Sequence, residues 1–193
     1  MPAKLNGLKI ERKFTESGKD PFQKLNWTKR DVEIRNFDGT VAFSMKDVNL
    51  PDNYSQVAAN VLSQKYLRKA GIPKKLKKVR EKGVPIWLQK SVPDHKALDE
   101  LPEDEKYGEE VDSKQTFRRL AGTWTYWGWK HGYFASEKDA RAYYDEMCFM
   151  LAFQMVSPNS PQWFNTGLNW AYAIDNDLNF RDACLVDAMN KVY

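Results

Sequence analysis

Cysteine and long apolar runs are scarce in this chain of 193 residues. Its two cysteines, Cys148 and Cys184, are too few for a secreted disulfide framework and match no zinc-binding spacing. No apolar run approaches the roughly 18 residues of a membrane-spanning helix, and the first residues have no signal-peptide character. We therefore expect a cytoplasmic protein that has no membrane partner.

Sequence motifs that are typical of catalytic or phosphate-binding sites are scarce as well. The sequence has no glycine-rich phosphate loop and no dinucleotide-binding fingerprint. His95 and His131 are each isolated, so we expect a solvated or structural role for them and not a role as metal ligand or base. Composition and motifs therefore predict no metal site.

The charges are segregated, although the net charge is only +4. Residues 65–82, the basic run, hold nine Lys or Arg residues and one acid, and residues 94–112, the acidic run, hold nine acids and two lysines. The basic run could contact nucleic acid or a substrate phosphate, but the only aromatic residues near it are Tyr66 and Trp87. We therefore expect the two runs to neutralise each other around a solvated linker at about 80–112, and we expect no nucleic-acid partner.

The first half of the chain predicts an arm, a hairpin and a helix. Residues 1–30 are polar and aperiodic, which is typical of an extended or flexible arm. Apolar and polar residues then alternate on both sides of Asp38-Gly39, a pattern that predicts an antiparallel hairpin with a two-residue turn. Asp52 is expected to cap the following helix, and Gly71 is expected just beyond its end.

The second half predicts two long helices. The first should run from Ser113 to about Trp129, and Gly122 within it could let a bulky ring approach closely. The second follows Ser136, whose hydroxyl can cap it, and its largely apolar second half should be buried. We therefore expect a mainly α fold with a small antiparallel β-hairpin, in the α+β class. Three tryptophans of the first helix are expected in the core and not on a stacking platform: Trp124, Trp127 and Trp129.

Residues 157–167 form the most unusual segment, with two prolines, two asparagines, a tryptophan, a phenylalanine and a glycine. Pro158 and Pro161 remove backbone donors and favour extended conformations before them, so no regular helix is expected here. The composition suits a rigid, aromatic-backed loop that the preceding helix carries into the interior and that presents hydroxyl and amide groups to a ligand. An ordinary turn after a helix is the alternative interpretation.

Four strings in this part of the chain resemble a known family. They are RLAGTWTYWGW from Arg119, GYF from Gly132, DARAYYDE from Asp139 and SPNSPQWFNTGLNWAY from Ser157. In this order and spacing the chain resembles the N-terminal region of adenosylcobalamin-dependent (class II) ribonucleotide reductases, over roughly residues 27–174. The resemblance implies that residues 31–174 form a helical N-terminal domain and that residues 175–193 are the truncated start of a ten-stranded α/β barrel.

The resemblance also implies a chemistry. In this family a cysteine thiyl radical, generated through homolysis of adenosylcobalamin, abstracts the 3′ hydrogen of a ribonucleotide. A cysteine pair then supplies two electrons as the 2′ hydroxyl leaves as water. The cofactor would bind mainly outside this chain. The implied partners are a ribonucleotide substrate, the remaining catalytic barrel, an external dithiol reductant and, as one option, a second copy of the chain.

Two positions match functional segments of the family. Ser160 stands where the family has a Ser-Pro or Thr-Pro substrate contact, and its alternative role is to form a turn or a cap. Ala183-Cys184 resembles the family's substrate-binding strand, whose cysteine is one half of the redox pair. Cys148 is a poor partner for it because it lies in an apolar helix. The connection that leads to Cys184 is shorter than in the family.

Two functions of different classes follow. The first is the N-terminal part of a B12-dependent ribonucleotide reductase, active only together with the remaining barrel. The alternative is a freestanding, non-catalytic helical module that binds nucleotides or a partner. A third idea, nucleic-acid binding through the basic run, would show as an affinity that falls steeply with added salt.

Overall fold

Helices and short antiparallel strands alternate along the chain in a computed structural model that describes residues 7–175. In this range three two-stranded sheets accompany the helices, which confirms the α+β class with more sheets than the one hairpin expected. The strands are β1 (Trp27–Arg35), β2 (Val41–Pro51), β3 (Ile72–Pro73), β4 (Leu76–Lys78), β5 (Ser91–Pro93) and β6 (Tyr107–Gly108). The helices are α1 (Gln56–Val61), α2 (His95–Leu98), α3 (Ser113–Lys130), α4 (Glu137–Ala152), α5 (Ser160–Asn165) and α6 (Leu168–Tyr172).

The hairpin of β1 and β2 is longer than predicted and has a different turn. The strands pair antiparallel, and the Asn36 N–H donates to the Thr40 carbonyl at 2.8 Å. This bond closes a loop of three residues in which Gly39 has a φ of 84°. The predicted two-residue turn is therefore wrong, because the left-handed glycine ends a three-residue loop instead of the tighter turn.

Residues 7–26, expected as part of an extended arm, have little regular structure and pack against α4. The Glu146 carboxylate accepts the backbone N–H groups of Lys13, Phe14 and Thr15 and the Thr15 hydroxyl, at distances between 2.5 and 3.2 Å. Burial alone would raise the pKa of Glu146, but these hydrogen bonds lower it overall. One helical carboxylate thus fixes the segment that leads into the hairpin.

The helix after the hairpin begins later than predicted. Ser55 caps α1 by accepting the Ala58 N–H at 3.1 Å, so the assignment of the cap to Asp52 is wrong. Asp52 still belongs to the end of the hairpin, since its N–H donates to the Asn26 carbonyl. A π-helical turn over Leu62–Tyr66 continues α1.

The two long helices are confirmed, and they pack on each other. Asp112 and Gln115 form a capping box at the start of α3, and the Ser136 hydroxyl accepts the Asp139 N–H at the start of α4. Beyond the end of α4, Gln154 has a φ of 61°. Neither these nor any other helix of the described part is long and apolar enough to cross a membrane.

The main core forms where the hairpin, α1, α3 and α4 meet. Its members are largely aliphatic and aromatic, and Cys148 is among them, as expected for a cysteine in an apolar helix. The buried residues include Phe22, Val32, Met45, Val48, Leu50, Ala59, Leu62, Leu67, Phe117, Leu120, Ala121, Tyr144, Cys148, Leu151, Ala152 and Trp163.

The basic and acidic runs lie side by side, as expected. Strand β3 pairs with β6 and β4 with β5, and the Lys77 ammonium lies 3.4 Å from the Asp94 carboxylate. The acidic run is nevertheless not a solvated linker. Leu98 and Glu110 are buried, because short helices and strands fold this part of the chain onto the domain.

Candidate functional site

The segment 157–167 lies at the surface and contains a helix. Asn159 has an extended backbone and precedes α5, while Pro161 stands in its first turn, where a missing N–H removes no intrahelical hydrogen bond. The prediction that this composition makes no regular helix is therefore wrong. So is the expectation that α4 carries the segment into the interior, since Ser160 is exposed.

Ser160 is held against an aromatic pair. Its hydroxyl lies 3.1 Å from the Tyr66 hydroxyl, and either group can donate. The Tyr66 ring stacks on Trp163 with centroids 5.2 Å apart and an interplanar angle of 14°. Trp163 is buried against Phe117, and its Nε1–H donates to the Ser157 hydroxyl at 3.2 Å. The expected aromatic backing of this segment is therefore present, with Tyr66 as an additional member.

The buried side chain of Arg119 connects the backbone at Tyr66 to the backbone at the end of α5. Its guanidinium donates to the Tyr66 carbonyl at 3.0 Å and to the Thr166 carbonyl at 2.8 Å. Its charge is balanced by Glu110, 2.8 Å away, and both side chains are fully buried. A single buried cation therefore fixes the backbone on both sides of the Ser160–Tyr66 pair.

Glu110 has all the partners that a buried carboxylate requires. Besides Arg119 it accepts the Thr116 hydroxyl at 2.9 Å, the Tyr172 hydroxyl at 2.8 Å and the Arg68 N–H at 2.8 Å. Burial, together with the nearby negative charge of Glu110, raises the pKa of Tyr172 and keeps its phenol protonated as a donor. A buried ion pair is tolerated when such bonds satisfy its remaining atoms.

Two glycines permit the close packing beneath the segment. A Cβ on Gly122 would lie under 3.0 Å from the Trp170 ring, which confirms the expected approach of a bulky ring to α3. A Cβ on Gly167 would lie under 3.0 Å from the Arg119 carbonyl, and Gly167 has a φ of 89°. The turn from α5 to α6 therefore rests directly on α3.

The tryptophans of α3 divide between core and surface. Trp124 packs on the main core, and Trp129 packs on a smaller cluster and donates to the Gly83 carbonyl. Trp127 is 51% exposed, so the expectation of a core role is wrong for it. Its side chain lines a pocket together with Asn165 and Trp170.

Of the two cysteines, Cys148 lies in the part of the chain that the structure describes. Burial raises the pKa of Cys148 to about 12, which keeps it a protonated core residue. Ala183 and Cys184 lie outside the described residues, so their predicted roles stay predictions. In residues 7–175 no cluster of His, Cys, Asp and Glu is suited to hold a metal ion.

Arg119, Glu110 and Tyr66 had not been assigned to the site from the sequence. One signal could have indicated Arg119, because an arginine surrounded by Phe117 and Leu120 on a buried helix needs an acidic partner. Nothing local indicated that the partner would come from the acidic run.

Residues 28–154 match the sequence model of a family described as class II vitamin B12-dependent ribonucleotide reductase. The chain belongs to this family. The match confirms the resemblance and includes three of the four strings, since SPNSPQWFNTGLNWAY begins after its last residue. It lies on the hairpin and the helices α1 to α4.

Individual members of the family agree with this assignment. The chain is 57% identical over 168 residues to the vitamin B12-dependent ribonucleotide reductase of Agrobacterium fabrum and 56% identical to that of Bradyrhizobium diazoefficiens, with 87% of the chain covered in each. It is 32% identical over 166 residues, or 85% of the chain, to the reductase of Streptomyces avermitilis. The chain spans only 13 to 14% of the length of these relatives.

The family's name implies a cobalamin cofactor, and the surroundings of Ser160 do not fit one. The groove that Tyr66, Ser157 and Trp163 line there has a volume of about 140 Å³. Cofactor sites commonly enclose about 300 to 1,000 Å³. The groove beside Ser160 is therefore too small to enclose the cofactor.

Proposed function

We propose that this chain is the N-terminal part of a B12-dependent ribonucleotide reductase and that it is active only together with the rest of the polypeptide. Residues 31–174 form the N-terminal domain, and residues 175–193 open the catalytic barrel. Family membership supports the proposal, and so does the 13% share of the relatives' length that the chain covers. In the net reaction the ribonucleotide loses its 2′ hydroxyl as water while two cysteine thiols become a disulfide.

The substrate contact is assigned to Ser160, and the observation that carries this assignment is its hydrogen bond with Tyr66. Two hydroxyl groups that share one hydrogen bond use one O–H and leave the other free to donate. The free O–H can bind a phosphate or ribose oxygen of a ribonucleotide. The stacked ring of Trp163 holds the pair in place, so little side-chain entropy is lost on binding.

Cys184 is assigned as one thiol of the redox pair, with Ala183 beside it as a substrate contact. The assignment is supported by the resemblance of Ala183-Cys184 to the family's strand and by the burial of Cys148, which leaves that thiol unsuited to exchange. The second thiol of the pair belongs to the remaining barrel, and an external dithiol reductant returns the disulfide to thiols after each turnover.

The substrate role is tested by Ser160→Ala in a reductase assembled from this chain and the remaining barrel of the Agrobacterium fabrum relative. A hydrogen bond to a charged group contributes about 1.5 to 3 kcal/mol, so we expect KM for the ribonucleotide to rise by about tenfold or more. Ser44→Ala on the exposed side of β2 is the matched control and should leave KM unchanged. An unchanged KM in Ser160→Ala would assign this serine to the turn alone.

The redox role is tested by Cys184→Ser in the same assembled enzyme. We expect multiple turnover to be lost, because a serine hydroxyl cannot form the disulfide that results when the thiol pair gives up two electrons. Product formed per enzyme with an excess of dithiol is the measurement. Cys148→Ala is the control and should retain activity, and full activity in Cys184→Ser would remove this residue from the pair.

A further inference from the structure

A second pocket, which we call the Trp127 pocket, is lined by residues of α3, α5 and α6 and by Lys90. Its volume of about 290 Å³ is about twice that of the groove beside Ser160. The rings of Tyr126, Trp127 and Trp170 line it, and Trp127 is exposed. Small-molecule sites commonly enclose about 300 to 1,000 Å³, so the pocket suits a ligand with one ring system and a short substituent.

The Thr123 side chain lines this pocket with a buried hydroxyl. Thr123 is only 3% exposed, and its Oγ1 has no hydrogen-bond partner within residues 7–175. Two positions further along α3, the Thr125 hydroxyl donates to the Ala121 carbonyl at 2.6 Å, which is the usual partner of a threonine in a helix. Buried polar groups are nearly always paired, and an exception calls for an explanation. A polar atom of a bound ligand would supply the partner that Thr123 lacks.

Lys90 brings a positive charge to the same pocket. Its ammonium donates to the side-chain oxygen of Asn169 at 3.1 Å and lies 5.5 Å from the centre of the Tyr126 ring. In the part of the chain that the structure describes, Lys90 forms no ion pair, and Glu81, which accepts the Tyr126 hydroxyl, pairs with Lys130. An ammonium carries three N–H groups. Lys90 can therefore still donate to an anionic group.

Two asparagines add an acceptor and a donor. The Asn165 side-chain N–H donates to the Pro161 carbonyl at 2.8 Å, so its side-chain oxygen is left to accept. The Asn169 oxygen accepts from Lys90, so its N–H groups are left to donate. The pocket thus combines aromatic rings, one cation and a few polar groups, which is the composition of a specific small-molecule site.

We propose that the Trp127 pocket binds a small ligand that consists of a planar aromatic ring and one anionic group. The ring stacks on Trp127, the anionic group pairs with Lys90, and the Thr123 hydroxyl donates to a polar atom of the ligand. Aromatic carboxylates and nucleoside monophosphates share this chemistry. Ser160 does not line the pocket, so the site is separate from the proposed substrate contact and does not depend on it.

The test titrates the 193-residue chain with indole-3-acetate and, separately, with adenosine monophosphate, and measures Kd by calorimetry. We expect at least one of the two to bind with a Kd below about 1 mM. Binding of only one of them assigns the site to carboxylates or to nucleotides. The neutral counterparts, indole and adenosine, should bind about tenfold more weakly, because they lack the group that pairs with Lys90.

Two variants test the ring and the charge. Lys90→Met should weaken binding by about tenfold or more, since it removes a hydrogen bond between charged groups. Trp127→Ala should weaken it by about fivefold or more, since it removes the stacking surface. Ser160→Ala is the control for a separate site and should leave Kd unchanged.

Thr123→Val distinguishes a ligand contact from a structural role. Valine has nearly the shape of threonine but no hydroxyl, so we expect binding to weaken by about threefold or more. The Tm should stay the same or rise, because the hydroxyl has no partner in the described part of the fold. Thr125→Val, which removes a hydroxyl that is already bonded within α3, should leave Kd unchanged.

The proposal is overturned if neither compound binds at about 1 mM, or if the neutral counterparts bind as tightly as the anions. It is also overturned if Lys90→Met or Thr123→Val binds as tightly as the unmodified chain. Weaker binding in Ser160→Ala would place the compounds at the proposed substrate contact instead of the Trp127 pocket.

Discussion

Tyr66 connects three parts of the domain at once. Its hydroxyl contacts Ser160, its ring stacks on Trp163 and its carbonyl accepts from Arg119. Ser160 is 94 residues away along the chain, so the contact depends on the whole fold and not on local sequence. Tyr66 is thus a positioning residue for the proposed substrate contact.

We predict that Tyr66→Phe raises KM for the ribonucleotide by about two- to tenfold in the assembled enzyme. The substitution removes one hydrogen bond, commonly about 0.5 to 1.5 kcal/mol, and keeps the stacked ring. Because both variants break the same bond, Tyr66→Phe combined with Ser160→Ala should have the KM of Ser160→Ala alone. Tyr133→Phe, at an exposed tyrosine, is the control. Independent, multiplying effects of the two substitutions would contradict a positioning role.

The sequence could identify Ser160 because its surroundings form an unusual local string. It could not identify Tyr66 or Arg119, whose roles come from contacts between distant segments. Arg119 is the first residue of RLAGTWTYWGW, which resembles the family, but the sequence does not indicate whether its charge faces solvent, substrate or a buried acid. Only the fold brings Glu110 to it.

At the scale of elements, the packing of α3 against α6 depends on Gly122. Helix propensity alone would favour alanine there by about 1 kcal/mol. The Trp170 ring occupies the space that a Cβ would need. Overpacking a rigid contact of this kind commonly costs about 1 to 3 kcal/mol, so the steric term should prevail.

We therefore predict that Gly122→Ala lowers the free energy of unfolding by about 1 kcal/mol or more, as measured by urea denaturation. In a Trp170→Ala background the same substitution should be neutral or stabilising, because the ring that it would meet is gone. A higher stability of Gly122→Ala in the otherwise unmodified chain would show that the ring moves aside at little cost.

The elements were predictable where capping and periodicity agreed and not where local signals competed. Ser136 stands directly before a long periodic run, and α4 begins there. Asp52 and Ser55 can both cap a helix, and the hairpin decides between them by engaging Asp52. In α5 the prolines indicated a loop, but Pro161 stands in the first turn, where a helix accepts it.

At the scale of the whole molecule, Glu146 ties the first described residues to the helical part. Its pKa is lowered in the folded protein, so the unfolded chain binds the proton more tightly. The stability that this carboxylate contributes is therefore present above its unfolded pKa of about 4.3. It is lost as the pH falls through the folded value.

We predict that amide hydrogen exchange at residues 13–15 accelerates when the pH falls below about 4, after correction for intrinsic exchange rates. Glu146→Gln should show fast exchange at neutral pH and little further change on acidification. Glu33→Gln, at an exposed acid of β1 that pairs with Arg35, should behave as the unmodified chain does. Protection in Glu146→Gln equal to that of the unmodified chain at pH 7 would show that other contacts hold the segment.

Composition and periodicity were enough to predict the α+β class and the proximity of the basic and acidic runs. The way the acidic run folds back could not be predicted, because strands of two or three residues have no periodic signal of their own. Their partners lie about 15 to 35 residues away, as Lys77 and Val92 or Pro73 and Tyr107 do.

The buried cation of Arg119 has a consequence for mutational surveys of this enzyme class. A variant that loses this side chain would release the carbonyls of Tyr66 and Thr166 together, and the outward-facing serine would drift although nothing near a nucleotide had been altered. A screen that ranks positions by loss of turnover would give the buried Arg119 as high a score as a residue in contact with substrate. Unfolding measurements on each inactive variant would tell the two apart.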